Sequence, residues 1–437
     1  MQGGTGLNGA HSVATDSSTS GPAEARRCAV DVVRTLQNAG FAALFAGGCV
    51  RDEIMGLFPT DYDIATDATP EEIGTLFRST AHVGAHFGVV IVHAGKGTGV
   101  EVATFRKDGV YSDNRRPDSV EFADDVADAS RRDFTVNAIF LDPLAAKDSP
   151  SIHGHIVDHV GGLADIERKL IRAVGRAEDR LAEDHLRALR AVRFAARLGY
   201  AIHDETQRAI KEHAGDLAGV SAERIGQELR RMLREPSRAA AASMLAKLGL
   251  EAAIFGSQGT ASRTCLDGLA GDAGFEHAMA AWIIDRDGLA PDLSTYRRAL
   301  CLSNDEQGTI GQIIQITREL HSGWLDEPMA AQKRLAAKDS FGDALACVAA
   351  ADPSLASRIG GRHKELSDTP SGIGPKPLID GEVLIQMGFP AGPAFGKVLR
   401  AVYDAQLEDQ ISDPEGAKAL ARKLLESSEQ TGSGGVE

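Results

Sequence analysis

Long apolar runs are absent. No stretch of the 437 residues approaches the roughly 18–20 consecutive apolar positions a bilayer span requires, so no membrane association is expected. Cysteine is sparse: Cys28, Cys49, Cys265, Cys301 and Cys347 form no CxxC and no even framework. That excludes a disulfide scaffold and points to reduced thiols in a cytoplasm. Positive charge is in deficit, with 47 Lys and Arg against 62 Asp and Glu and a net charge of −15. Such a balance argues against coating nucleic acid by bulk electrostatics. The opening residues have neither a basic start nor an apolar core, so no signal peptide is expected. Residues 1–22 read as a disordered Gly/Ser/Thr arm and 427–437 as a disordered end.

What positive charge there is lies concentrated. Residues 168–197 hold nine Lys and Arg against four acids, and 224–238 hold five Arg against two Glu. A solvated helix face explains such a stripe as readily as a nucleic-acid track, and composition leaves both open. The chain length suits about two to four domains. Residues 23–39 read as an amphipathic helix, "FAALFAGG" as a strand entering a Gly turn, and "VRDEIMGLF" as a short helix ended by Pro59. "YDIAT" alternates as a strand, and "TPEEIGTLF" opens a helix with an N-cap and Pro at N1. "FGVVIVHAGKGTGVEVATF" predicts a hairpin and "SVEFA" a further strand. From about residue 163 the pattern is helical, with no convincing strand. The expected fold is α+β: a catalytic head over 23–162, a helical neck over 163–255, and a helical body and tail over 256–426.

The chemistry centres on "GGCVRDEIMGLFPTDYDIAT". On a strand, residues two apart share a face, which would set Asp61 and Asp63 side by side. Two such charges are costly without a cation between them, and oxygen ligands of this kind suit Mg²⁺. Glu101 in "VEVATF" is a candidate third carboxylate. Gly47 and Gly48 at a strand-to-helix turn let backbone amides approach a polyphosphate, with Arg51 as a charged clamp beside Asp52. Two competing readings fail. An EF-hand starting at Asp61 meets Ala65 at a ligand position and Thr66 where the turn needs Gly. His82 and His86 have metal-like spacing but no third ligand.

The GGxVRD element followed by DxD resembles the nucleotidyltransferase superfamily typified by DNA polymerase β. More narrowly, it is similar to the bacterial class II tRNA nucleotidyltransferase/poly(A) polymerase family. "RRDFTVNA" (131–138), "DHVGGLAD" (158–165), "EDHLRALRAVRFAARLGY" and "SAERIGQELRRML" follow in the family's order, covering about 41 to 235. The resemblance implies a polymerase-β-like head followed by an all-α neck, body and tail. It implies metal on Asp61 and Asp63, the triphosphate on Gly48 and Arg51, and ribose contacts from Arg131, Arg132, Asp133 and Asn137. It assigns Asp184 and Arg187, beside Glu183, to the base edge, with Arg190 and Arg193 near the nucleotide. It also implies Mg²⁺ as cofactor, CTP, ATP and tRNA (acceptor end and elbow) as partners, and no stable protein partner. The mobile specificity loop is expected at "KDGVYSDNRRPD".

Read physically, Asp184, Arg187, Arg190 and Arg193 are three apart, so on one helix each neighbours the next. An Asp accepting from an exocyclic amine beside an Arg donating to a ring nitrogen satisfies cytosine and adenine alike. Uracil and guanine reverse both groups and leave the side chains mispaired, at about 1–3 kcal/mol per base contact. One pair thus accepts CTP and ATP without a template. The expected activity is template-independent C and A addition to tRNA 3′ ends with release of pyrophosphate. A poly(A) polymerase shares head and neck; Ala85 and His86 in "VGAHFGVV" stand where that enzyme tends to be basic. A CC-adding or A-adding enzyme, or a catalytically dead RNA-binding protein, are the other readings. No His–Asp dyad with suitable partners is discernible over 250–437, so no appended phosphohydrolase domain is expected.

Overall fold

The computed structural model describes residues 21–82, 88–94, 98–109, 119–146, 152–260, 262–390, 392 and 394–432. His86, the "VGAHFGVV" contrast and most of "KDGVYSDNRRPD" therefore lie outside the described residues. The chain divides into two compact units, residues 1–213 and 214–437.

In the first unit, α1 (Pro22–Asn38) buries Ala25, Ala29, Val32, Val33 and Leu36, the three-and-four spacing of one helix face. A seven-stranded sheet follows: β1 (Ala43–Ala46), β2 (Asp63–Thr66), β3 (Thr80–His82), β4 (Val89–Ala94), β5 (Thr98–Thr104), β8 (Ile139–Asp142) and β9 (His155–Asp158). Its order is β3-β4-β5-β2-β1-β8-β9, and β2 and β5 run parallel. The expected hairpin is β4–β5. "SVEFA" supplies β7 (Val120–Phe122), which pairs with β6 (Arg106–Asp108) apart from the main sheet. Between strands lie α2 (Gly48–Ile54), α3 (Pro70–Leu76), α4 (Asp125–Arg131) and α5 (Gly162–Arg168). The Thr69 side chain accepts from the Glu72 amide while Glu72 returns a bond to Thr69, which fixes the start of α3. Ala46, Ala65, Phe105, Ala129, Ala138, Phe140 and Val174 form a core on the sheet.

At the "DHVGGLAD" turn, the Asp158 carboxylate accepts from the amides of Val160, Gly161, Gly162 and Leu163 at 2.9–3.2 Å. A Cβ on Gly162 would lie 2.3 Å from the Thr135 carbonyl, so only glycine fits. The unit closes with α6 (Ala177–Glu183), α7 (Arg187–Leu198) and α8 (Asp204–Glu212).

Several sequence expectations need correction, among them the start of β2, taken up with the site. α2 ends at Ile54, well before Pro59, because Met55 and Gly56 turn back onto it. The helical region contains a two-residue parallel pair, β10 (Leu170–Ile171) with β11 (Ala201–Ile202), too short to leave a period-2 signal. The last helix runs from Pro414 to Gly432, past 427. The break before Arg187 also belongs with the site.

Among its described residues the second unit contains helices and no strand. Phe255 and Trp282 meet edge to face at 5.5 Å, and the fully buried Glu251 accepts from Arg263 and Arg286. A separate cluster of Ile379, Leu384, Val398, Val402, Ala417, Ala421 and Leu425 organises the C-terminal helices. His277 and Asp343 pair at 3.1 Å, a dyad invisible in sequence because 66 positions separate them. Among the described residues no group of three His, Cys, Asp or Glu is arranged to hold a metal, and no helix is long and apolar enough to cross a membrane.

Candidate active site

β2 begins at Asp63, so Asp61 lies just before the strand rather than on it. The strand-like alternation nonetheless extends back: Tyr62 and Ile64 are buried while Asp61 and Asp63 are exposed. Tyr62 anchors the turn by donating to Glu53 at 2.6 Å, and Glu53 is itself held by Arg26 at 2.8 Å. The parallel register sets Glu101 of β5 directly opposite Asp63. Local desolvation, then the charges of Glu101 and Asp61, push the Asp63 carboxyl up to about 6, against an opposing pull from Arg132. None of these three carboxylates forms an ion pair or hydrogen bond among the described residues. An all-oxygen donor set under mutual repulsion fits a hard divalent cation that completes its shell with water and phosphate. It does not amount to a closed three-ligand cage.

Gly47 has φ +78, and a Cβ there would meet Arg132 Nη1 at 3.0 Å, which explains the glycine. Arg51, expected as a charged clamp, is 2% exposed. Its Nε and Nη2 donate to Asp52 at 2.8 and 2.6 Å, and its Nη1 donates to Asn137 Oδ1 at 2.5 Å. Asn137 Nδ2 in turn donates to Asp133 Oδ1 at 3.2 Å, and Arg190 grips Asp133 Oδ2 at 2.8 and 2.6 Å. Burial opposes the Asp133 charge, but Arg190 and the hydrogen bonds from Arg190, Asn137 and the Phe134 amide hold it below the usual carboxylate range. A continuous polar chain thus links α2 to α7 through the 135–137 turn.

Arg131 and Arg132 converge on Asp128, which is 1% exposed, at 2.6 and 2.8 Å. Burial again opposes the charge, and Arg132 and then Arg131 overcome it. Sequence reasoning missed Asp128, although its i+3 and i+4 spacing to the two arginines on a helix was the available signal. It missed Phe194 as well. The guanidinium carbons of Arg193, Arg190 and Arg51 stand 4.3, 5.3 and 5.6 Å from that ring's centroid.

The expected ladder from Asp184 to Arg193 on one helix is broken. α6 ends at Glu183, Asp184 is extended (φ −154, ψ 102), and α7 begins at Arg187. The cause is local: the Asp184 carboxylate accepts from the Leu186 amide at 3.1 Å, a turn that competes with helix. Arg187 is held across the break, its Nη1 donating to Glu183 at 2.5 Å and to the Arg180 carbonyl at 2.7 Å. Among the described residues its Nε and Nη2 make no such bonds. Arg190 and Arg193 remain together on α7.

Residues 43–172 match the family described as "Poly A polymerase head domain", and residues 199–258 match "Probable RNA and SrmB- binding site of polymerase A". The CCA-adding enzyme of Geobacillus kaustophilus is 45% identical over 230 residues, 52% of this chain and 54% of that enzyme. The chain therefore spans about half the length of that relative. The CCA-adding enzyme of Lactobacillus gasseri is 32% identical over 396 residues, 89% of this chain and 95% of that enzyme. The crystal structure of the Bacillus stearothermophilus CCA-adding enzyme in complex with CTP superposes with a TM-score of 0.75 at 29% identity, covering 94% of this chain and all of that one. On the strength of the near full-length match, this chain belongs to the CCA-adding enzyme family, with the α+β head and helical remainder expected of it.

Proposed function

We propose that this protein adds C and A nucleotides, from CTP and ATP, to the 3′ ends of tRNA without a template, releasing pyrophosphate in the cytoplasm. The observation that carries this reading is the group of unpaired carboxylates, Asp61, Asp63 and Glu101, in a head whose neighbouring guanidiniums are already placed by Asp128, Asp133 and Asn137. The RNA 3′-oxygen bonds to the α-phosphorus of the nucleotide as the bond to pyrophosphate breaks. Asp61 and Asp63, with Glu101 adjacent, are the residues that would hold Mg²⁺, which when bound would supply Lewis-acid chemistry at the hydroxyl and the leaving group.

The chain's own residues bind and orient. Arg187, steadied by Glu183, offers its remaining N–H groups to the ring nitrogen of C or A. Asp184, at the helix break, accepts from the exocyclic amine. Breaking the helix turns the pair from a ladder into a corner, with the Asp on extended backbone and the Arg on the first turn of α7. Asp133 and Asn137 face the ribose and set Arg190 and Arg51, so sugar and phosphate recognition depend on one network. Gly47 at the N-cap and Gly48 at the first position of α2 leave the start of the helix free of side chains for the triphosphate.

The test is replacement of Asp61 and Asp63 together by Asn. Nucleotide incorporation should fall at least a thousandfold while tRNA binding persists. Turnover near wild type would remove the carboxylates from the mechanism, and lost binding with lost folding would show a structural role instead.

A further inference from the structure

Three elements of the head converge on the residue between the two carboxylates. Tyr62 is 6% exposed, and its ring packs on Phe45 of β1 with the centroids 4.9 Å apart. An apolar side chain would fill that place equally well; the hydroxyl adds a group that burial penalises unless it is bonded. It donates to Glu53 Oε1 at 2.6 Å, the short distance of a bond to an ionised acceptor. The same oxygen accepts from Arg26 Nε of α1 at 2.8 Å, and Glu53 Oε2 accepts from Arg26 Nη2 at 3.3 Å. Arg26 Nη2 also donates to the His153 carbonyl at 2.9 Å, so the guanidinium is itself held from two sides. Its central carbon stands 5.6 Å from the centroid of Phe45, the ring on which Tyr62 packs.

The sheet does not fix this segment. β2 begins at Asp63, and its register with β1 and β5 starts at Ile64 and Asp63, so Asp61 and Tyr62 precede the ladder. The hold comes from α2 instead. Cys49 and Glu53 are four apart, on one face of that helix. Cys49 Sγ lies 4.0 Å from the Asp63 carbonyl oxygen, and Glu53 takes the Tyr62 phenol. Because side chains alternate here, buried at Tyr62 and exposed at Asp61 and Asp63, anchoring the phenol turns both carboxylates to the opposite face. Two ligands on unanchored backbone would have to be ordered by the cation itself, at a cost to its affinity.

We propose that Tyr62 is a positioning residue for the metal site: its phenol, held by Glu53 and Arg26, fixes the direction of Asp61 and Asp63 and so sets how tightly they bind a divalent cation. This rests on the metal-dependent reading above. Tyr62→Phe keeps the ring on Phe45 and removes only the donated bond. Mn²⁺, a paramagnetic substitute for Mg²⁺, is titrated into the full chain without nucleotide, and the free ion is read by electron paramagnetic resonance. The dissociation constant should rise about tenfold in Tyr62→Phe, the low end for residues behind a metal ligand, with the number of sites unchanged. Arg26→Gln frees Glu53 and should weaken Mn²⁺ binding as well. An unchanged constant in Tyr62→Phe overturns the proposal. So does a reduced number of sites at the wild-type constant, which would make the phenol a requirement of folding alone. Tighter binding by Arg26→Gln, the direction in which loss of a positive charge acts by itself, likewise overturns it. Wild type that takes up no Mn²⁺, or Asp61→Asn/Asp63→Asn that takes up as much as wild type, overturns this inference together with the metal-dependent reading beneath it.

Discussion

Asp63 ionises against its surroundings, and Asp63→Asn tests that directly. The carboxyl stands at about 6 rather than its usual 3.8, through desolvation, Glu101 and Asp61. Fully shielded from water, such a displacement costs the ionised native state about 3 kcal/mol. Asp63 is exposed, so solvent screening lowers this to about 1 kcal/mol. The sign follows from linkage: the native state binds the proton more tightly than the unfolded chain. The associated stability is present below about pH 3.8 and lost as pH rises through about 6. Asn mimics the protonated form, so without divalent metal the variant should gain about 1 kcal/mol at pH 8 and little at pH 4. Both tryptophans, Trp282 and Trp324, lie in the second unit and are blind to this change. Cys49 is the suitable probe: it is buried in the first unit, its Sγ 4.0 Å from the Asp63 carbonyl oxygen. Pulsed labelling of Cys49 in urea, with a disulfide-exchange reagent active in acid, reads the opening free energy. Millimolar Mg²⁺ at pH 8 should stabilise wild type more than the variant. Equal opening energies at pH 8, or a gain of the same size at both pH values, would refute the reasoning.

Gly47→Ala must place a side chain at φ +78 and 3.0 Å from Arg132 Nη1, so Cys49 labelling should show a loss of about 1–3 kcal/mol. Phe194→Leu keeps an apolar side chain but removes the ring beneath three guanidiniums. The KM for CTP and ATP should rise about 5- to 30-fold, with Phe194→Tyr near wild type, and an unmoved KM would leave the ring merely structural. Asp133→Ala strips Arg190 and Asn137 of their partner, and discrimination of CTP over dCTP should fall about 5- to 100-fold; an unchanged ratio would separate the network from the sugar.

Much of the head was legible because its signals are local. The Thr69 capping box, the β4–β5 alternation and the face of α1 each follow from a few adjacent residues. The pairing of Asp63 with Glu101 was legible only as a candidate, since parallel register depends on a crossover that no short window contains. The helix break at Asp184 was missed because Arg, Leu and Ala on both sides carry a helical period that outweighs one Asx turn. Arg51 gave no sign of burial, because a guanidinium goes inside only when partners distant in sequence, here Asn137, are there to meet it.

The most direct test of the central claim is to sequence RNA 3′ ends after incubating the protein, CTP, ATP and Mg²⁺ with a tRNA that ends before CCA. Growth by C, C and A followed by arrest is the predicted result. Long runs of A, added to any RNA supplied, would contradict it and make the protein a poly(A) polymerase.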